Sequence, residues 1–511
     1  MEGTIYSLIP PVLAILMVIL TRRVLISLGV GILASALLLA GFHPIGTVER
    51  ILQSFLAVFT DLWYVYILVF IIFLGIITAF ISVSGGSVAF GEWAAKRIKS
   101  RRGSKFLTVI LGIVIFIDDY FNSLAVGQIS RPITDRYKVS RAKLAYLIDS
   151  TSAPICVIAP ISSWGAYIIA TLGGIFITLN VTEYTGLSAF MQMIPMNLYV
   201  FSALLMVFLV AYFNVNIGAM KTHETRAMET GELVDSTKTV PGEFTEDLPV
   251  SEKGKVGSLL WPIIALMVGV VAAMFWTGYT ASEGDTSILA IFENTDPSAA
   301  LFYGGIFALI VTFVLFALQS SKGEVQGNLF GKVVVAGVKA MLPAVYILLL
   351  AWSITGLISD LETGTYLADR IQESNMNIAW LPIIIFLVAG FTAFATGTSW
   401  GTFGLLLPIA AQIAVVTDIE LLLPALAAVL AGAVFGDHCS PISDTTILSS
   451  TGANSNHIDH VLTQLPYALI SAAVAAVGYI VLGLTGSTLL GLAVVLVAFI
   501  IIGFSFKAVK A

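Results

Sequence analysis

The stretch Phe435-Gly436-Asp437-His438-Cys439-Ser440-Pro441-Ile442-Ser443-Asp444-Thr445-Thr446 decides how this chain is read. It sets two carboxylates, an imidazole and a run of hydroxyls directly behind the apolar segment 421–434. Ionisable groups at bilayer depth are costly and are kept where they line an ion or substrate path. The stretch therefore points to a membrane protein with a polar interior built for a small ion or solute.

Composition agrees. Of 511 residues, 58% are hydrophobic and 11% charged, with a mean hydropathy of +0.97; a soluble chain carries about 25% charged residues. Apolar blocks at 4–20, 24–40, 63–82, 197–212, 259–276, 299–318, 333–357, 378–395, 461–484 and 489–504 approach or reach bilayer-spanning length. Less regular stretches lie at 106–127, 144–177, 403–416 and 421–435. Together they predict an all-α polytopic fold with about 11 to 13 membrane segments, some of them partial. The first block lacks a basic n-region and a small-residue cleavage site, so it is expected as a retained helix. Cys156 and Cys439 are far apart in sequence and support neither a disulfide framework nor zinc spacing. The setting expected is a prokaryotic plasma membrane, with lipid as the surrounding partner, no nucleic acid, and a homodimer left open.

A polar segment, 214–258, separates an N-terminal membrane half (1–213) from a C-terminal one (259–511). Rich in Glu, Thr and Gly and without apolar periodicity, it is expected as a flexible cytoplasmic tether. The halves share pattern. Thr78-Ala79-Phe80 matches Thr392-Ala393-Phe394 at a shift of 314, and Phe116-Ile117-Asp118-Asp119 matches Phe435-Gly436-Asp437-His438 at 319. Two structural repeats follow, with a binding site expected at their interface on discontinuous helices.

Two basic loops, Lys96 to Lys105 and Arg131 to Lys143, belong on the cytoplasmic side by the positive-inside rule. The segment between them, about 106–130, is expected as a re-entrant hairpin. The stretch 421–449, flanked by Asp418, Glu420 and an Asn454–His460 segment without Lys or Arg, is expected as a second hairpin from outside. That would make the halves inverted copies, although the parity of intervening spans leaves a parallel arrangement open.

Na⁺ takes carboxylate, hydroxyl and freed carbonyl oxygens. Four clusters supply them: Asp118, Asp119, Asn122 and Ser123; then Asp149, Thr151, Ser152 and Ser163, around Pro154 and Pro160, which should each break a helix. The third is Thr398 and Ser399 in a Gly-rich turn, and the fourth Asp437, His438, Ser440, Ser443, Asp444 and Thr445. Asp118, Asp437, Asp444 and Ser440 are the expected Na⁺ ligands. The plainer readings stand beside these. Membrane Ser and Thr commonly bond back to their own helix, Trp164 and Trp400 can be packing anchors, and Asp can cap a helix. His457 and His460 are expected in a solvated loop, and Asp360, Glu362 and Asp369 at the surface.

At this point the residues carry a resemblance. Gly436 to Thr446, with Thr398-Ser399-Trp400-Gly401-Thr402, Asp118-Asp119-Tyr120-Phe121-Asn122 and Ser152-Ala153-Pro154-Ile155, is similar to the NhaC family of Na⁺/H⁺ antiporters. The resemblance implies the ion transporter superfamily, with inverted repeats, re-entrant hairpins and broken helices. It also implies Na⁺/H⁺ exchange, or Na⁺- or H⁺-coupled movement of a small amino acid or organic acid, with no cofactor besides the coupling ions. The expected mechanism is competition of Na⁺ and H⁺ for buried Asp residues, Asp437 and Asp118 forming a repeat-related core assisted by Asp149 and Asp444. A membrane-embedded enzyme is disfavoured, because no His-Glu-x-x-His occurs.

Overall fold

A computed structural model describes residues 2–510 except 22, 117, 161, 236, 239–248, 283–286, 364–365, 367–368 and 370–376. The described part is an all-α polytopic membrane protein. Among the described residues nine helices are long and apolar enough to cross a bilayer, or ten if the pair Gly186–Met196 and Leu198–Phe213, bent by 47°, counts as one span. Three shorter apolar helices, Ile5–Ala14, Leu25–Leu39 and Tyr167–Leu179, stand beside them; the expected 11 to 13 segments had included partial ones.

The centre is built from α1 (Leu62–Val83), α2 (Arg101–Val114), α3 (Asp119–Arg136), α4 (Arg141–Cys156) and α5 (Ser163–Leu179) in the first half. After α6 (Leu198–Phe213) and α7 (Ala219–Glu229), the second half supplies α8 (Phe330–Asp360), α9 (Leu381–Thr396), α10 (Ser399–Thr417), α11 (Leu422–Cys439), α12 (Asp444–Ala453) and α13 (His457–Thr485). Helices Gly257–Ala281 and Pro297–Ser321 pack together and, with α8, against α1 as an outer layer.

Chain direction follows from side-chain contacts. Arg101 at the start of α2 donates to the Lys138 carbonyl just past α3, at 3.1 Å, and Tyr137 reaches the Ile98 carbonyl. The two ends of the α2–α3 unit thus meet at the basic loops. In the second half α9 and α11 run parallel, in backbone contact: a methyl on Gly432 would lie 2.2 Å from the Phe386 oxygen and one on Gly436 2.0 Å from the Gly390 oxygen. The helix between them, α10, must run back, so here the fold-back unit is α9–α10.

The stretch 421–449 does not fold back, contrary to expectation. Followed from its C-terminal part towards its start, α13 meets Ala427 through Tyr479, the His438 carbonyl through Gln464, and Ser450 through His457. These partners rise steadily in sequence, so α11 and α12 continue in one direction along α13 and end beside Arg141, which donates to the Ala453 carbonyl at 3.0 Å. Helix starts recur at a spacing of their own. From Asp119 to Ser399, the starts of α3 and α10, is 280 residues, and from Arg141 to Leu422 and from Ser163 to Asp444 it is 281. Short apolar matches had suggested 314 to 319.

Two parallel helix pairs bind the halves. Down α3 and α12, Tyr120 meets Asp444, Ser123 meets Ser449 at 3.0 Å, and Gly127 abuts Gly452. Down α5 and α10, the Trp164 ring packs 5.5 Å from Trp400 and 5.5 Å from Phe403, and Tyr167 lies over Gly404.

The linker is more than a tether. Its helix α7 buries Met220, Glu224 and Ala227. Glu224 pairs with Arg101 at 2.7 Å and accepts from the Ser140 amide at 2.9 Å, while Lys105 and Lys143 hold Asn214, Val215 and Asn216. The basic loops thus fold their own cover. Asp360, Glu362 and Asp369 are exposed, as expected.

Candidate functional site

Four helices of the centre begin at chain breaks, and the four breaks touch. Asp118, in extended conformation, caps α3 by accepting from the Phe121 amide at 2.9 Å. Ser162 caps α5 and Ser443 caps α12 in the same manner, each hydroxyl satisfying an otherwise orphaned amide. Gly397 ends α9 in the left-handed region at φ +74°, and Thr398 leads extended into α10. Pro160 and Pro441 lie within two of the breaks, where a missing amide donor is harmless. Pro154 instead stands inside α4, near its end, without breaking it.

Contacts run from break to break. Cys156 reaches the Phe116 carbonyl at 3.3 Å, and Trp164 Nε1 donates to Asp119 Oδ1 at 2.9 Å. Trp164 packs on Trp400, and Ser399 Oγ donates to Asp437 Oδ2 at 2.7 Å. Gly397 lies against the Ile442 backbone, and Tyr120 Oη donates to Asp444 Oδ2. Helix N-termini and C-termini from both halves therefore converge on one buried locus. Such a locus offers amide donors to anions and freed carbonyls to cations.

The carboxylates divide into two kinds. Asp444 is fully engaged, by Tyr120, by Trp352 Nε1 at 3.3 Å and by the Thr445 amide at 2.9 Å. Asp149 is likewise engaged, by Thr446, Ser449, His460 and Gln464. Asp119 and Asp437 differ. Each is 1% exposed, and each leaves one oxygen, Oδ2 and Oδ1 respectively, without a hydrogen bond. Among the described residues no Lys, Arg or His pairs with either. Asp119 lies within electrostatic range of Asp118, Asp444 and Asp437, so the four acids share one field. Asn122 anchors α3 by donating to the Gly112 and Ile115 carbonyls, at 2.6 and 2.5 Å, and its own oxygen is also bare.

The other candidates divide between packing and the cluster. Thr151 and Ser152 donate back to α4, to Leu147 and Asp149 carbonyls, and Ser440 donates to Phe394 O at 2.8 Å. Ser443 and Thr445 bond to each other at 2.9 Å. Thr398 makes no capping side-chain bond, and the Ser163 side chain lies outside the described residues. His438 is held by Ser150 at 2.9 Å and Tyr199 at 2.7 Å. Among the described residues there is no group of three or more His, Cys, Asp or Glu side chains placed to hold a metal.

His457 and His460 correct the expectation of a solvated loop. Both are buried on α13, His457 against the Pro441 carbonyl at 2.8 Å and His460 against Asp149 at 3.0 Å. Positions 457, 460 and 464 form one helical stripe, a signal that the polar composition of 454–460 concealed. Tyr120, Tyr199 and Trp352 carried no comparable signal.

Residues 155–484 match the Na⁺/H⁺ antiporter family. An uncharacterized protein of Haemophilus influenzae is 45% identical over 515 residues, spanning 99% of this chain and 96% of its own. An arginine/ornithine antiporter of Halobacterium salinarum is 28% identical over 231 residues, 45% of this chain and 37% of its own. A malate-2H⁺/Na⁺-lactate antiporter of Bacillus subtilis is 33% identical over 158 residues, 29% of this chain and 32% of its own. These two antiporters are matched over about a third of their lengths.

Proposed function

The chain belongs to the Na⁺/H⁺ antiporter family, and from that premise we propose that it exchanges Na⁺ for H⁺ in the manner of the NhaC branch. It is a secondary-active antiporter of a bacterial or archaeal plasma membrane, in a family of transporters and not of enzymes. One observation carries the finer reading: Asp119 and Asp437 are buried at the meeting of the breaks, each with a bare oxygen and neither with a cationic partner. An isolated carboxylate in so dry a place must hold a proton or a cation. Na⁺ and H⁺ then exclude one another, and exposing the pair to each face in turn gives exchange. Because the acids share one field, they titrate together. The bare Asn122 oxygen and the carbonyls freed at the breaks complete an oxygen shell suited to Na⁺.

Access alternates in this reading because the halves are inverted copies. The α2–α3 unit folds back from the basic face and α9–α10 from the other, while α4–α5 and α11–α12 cross as broken helices. The equal spacing of helix starts supports this. In proteoliposomes, an imposed Na⁺ gradient is expected to drive protons the opposite way, and Asp437→Asn and Asp119→Asn each to abolish that flux in a folded protein. Flux unchanged in Asp437→Asn removes it from the site.

A second reading, coupled exchange of a small amino or organic acid, is favoured by the four helix N-termini at the locus, which suit a substrate carboxylate. Uptake of labelled acids with and without Na⁺ separates the two.

A further inference from the structure

Away from the meeting of the breaks, a cavity of about 470 Å³ opens between α1, the helix Gly86–Ala95, α3 and the start of α4. Its charged lining is Arg131, Arg136 and Arg141 against Glu92 and Asp135. Asp135 is taken by Arg141 at 2.7 Å, and Arg141 donates to the Ala453 carbonyl as well. That leaves Arg131 and Arg136 facing the single charge of Glu92, so the cavity carries an excess of one positive charge.

Arg131 is half-buried in the last two turns of α3. Among the described residues its guanidinium makes one hydrogen bond, to Gln128 Oε1, and no ion pair. A guanidinium is a planar fork of donors that matches the oxygens of a phosphate or carboxylate. Partly desolvated and without a carboxylate of its own, it favours an anion in the space before it. Ser82 of α1 and Ser87 of the helix Gly86–Ala95 bring hydroxyl donors to the same space. The cavity also has an apolar lip. Val88 lines it and is 58% exposed. Trp93, on the same helix, is 38% exposed and has the Arg97 guanidinium 4.1 Å over its ring. Exposed Trp beside Arg marks the headgroup level of a bilayer. A cationic cavity at that level, walled by a valine that faces lipid, suits a ligand with both an anionic head and an acyl tail.

We propose that this cavity binds the phosphate of an anionic phospholipid, in the leaflet that meets the basic loops. Arg131 is its principal ligand, assisted by Arg136 and by the Ser82 and Ser87 hydroxyls. The single negative charge of phosphatidylglycerol offsets the excess positive charge, whereas the zwitterionic head of phosphatidylcholine does not. Glu92 opposes the ligand from the rim. A lipid held there ties the end of α3 to α1 and to the helix Gly86–Ala95. Because α3 begins at Asp119, the lipid steadies from its far end the helix that positions this acid.

Lipid binding does not rest on the exchange reading and is measured without transport. The test is native mass spectrometry of the full-length protein in an uncharged detergent, titrated with phosphatidylglycerol or phosphatidylcholine. Phosphatidylglycerol is expected to bind the more tightly. Arg131→Gln is expected to weaken its binding about tenfold and to leave that of phosphatidylcholine as it was. Lys99→Gln, which removes an exposed charge outside the cavity, should change neither. Glu92→Gln removes the opposing charge and is expected to tighten phosphatidylglycerol binding by about fivefold, a gain that misfolding does not produce. Equal affinity for the two lipids overturns the proposal, and so do equal effects of Arg131→Gln and Lys99→Gln. Displacement of phosphatidylglycerol by millimolar inorganic phosphate overturns the lipid as ligand and makes this a site for the free anion. If Arg131→Gln does not fold, Glu92→Gln decides, and an unchanged affinity there overturns the proposal.

Discussion

Trp164 is the clearest lever on the candidate cation pair, because among the described residues its indole is the sole side-chain donor to Asp119. A hydrogen bond to a charged group contributes about 1.5–3 kcal/mol. Trp164→Phe keeps the ring on Trp400 but removes that donor, leaving the ionised form less supported against a proton. The expected outcome is a KM for Na⁺ raised about tenfold at fixed pH, measured as Na⁺-dependent proton flux; an unchanged KM separates Asp119 from cation binding. That the acids are buried was legible in the sequence, since Asp437 and Asp444 follow an apolar run. Which of them would be saturated was not. Asp444 and Asp119 both open helices, and only the placement of Tyr120 and Trp352, remote in sequence, makes one quiet and the other bare. The same holds for Asp149, whose four donors come from two helices of the other half.

Among the elements, the parallel pair α3 and α12 is a close backbone joint between halves. A methyl on Gly452 would lie 2.3 Å from the Ser123 carbonyl oxygen, whereas one on Gly173 meets nothing within 4 Å. Gly452→Ala is expected to cost about 1–3 kcal/mol through forced separation of the helices, lowering the melting temperature in detergent and reducing transport. Gly173→Ala should leave both unchanged. Equal melting of the two variants contradicts the close crossing. Helix breaks were readable beforehand, since Pro160, Gly397 and Pro441 each mark one. The partnering of the pieces was not. Basic residues identified the face from which α2–α3 enters, but 421–449 offers no Lys or Arg, and charge gave no sign that the chain there continues across. Apolar tripeptides recur too readily to fix a repeat register; helix starts, set by caps and breaks, do so better.

On the scale of the molecule, the linker is stitched to the basic face. The Glu224 side chain is 0% exposed and its partner Arg101 19%. Removing one partner of a fully buried pair costs about 3–5 kcal/mol, and the partial exposure of Arg101 reduces that. In Glu224→Gln, limited proteolysis within α7 is expected to quicken by at least about tenfold, with cleavage at the wild-type rate counting against the stitching. Composition identified this segment as polar and as the divider of two halves. It could not show that a single carboxylate would fold it onto the loops it connects.

The pairing of α3 with α12 and of α5 with α10 also bears on how the protein is made. When the first half leaves the ribosome, Asp149 is already in the bilayer, but its partners Thr446, Ser449, His460 and Gln464 have yet to be synthesised. Until roughly the last tenth of the chain emerges, this half exposes polar faces to lipid or to the insertion machinery. Expressed alone, residues 1–213 are expected to be cleared by membrane proteases, and co-expression of 214–511 should rescue them, as followed by pulse-chase. A long-lived solitary N-terminal half would show that its acids find other shelter.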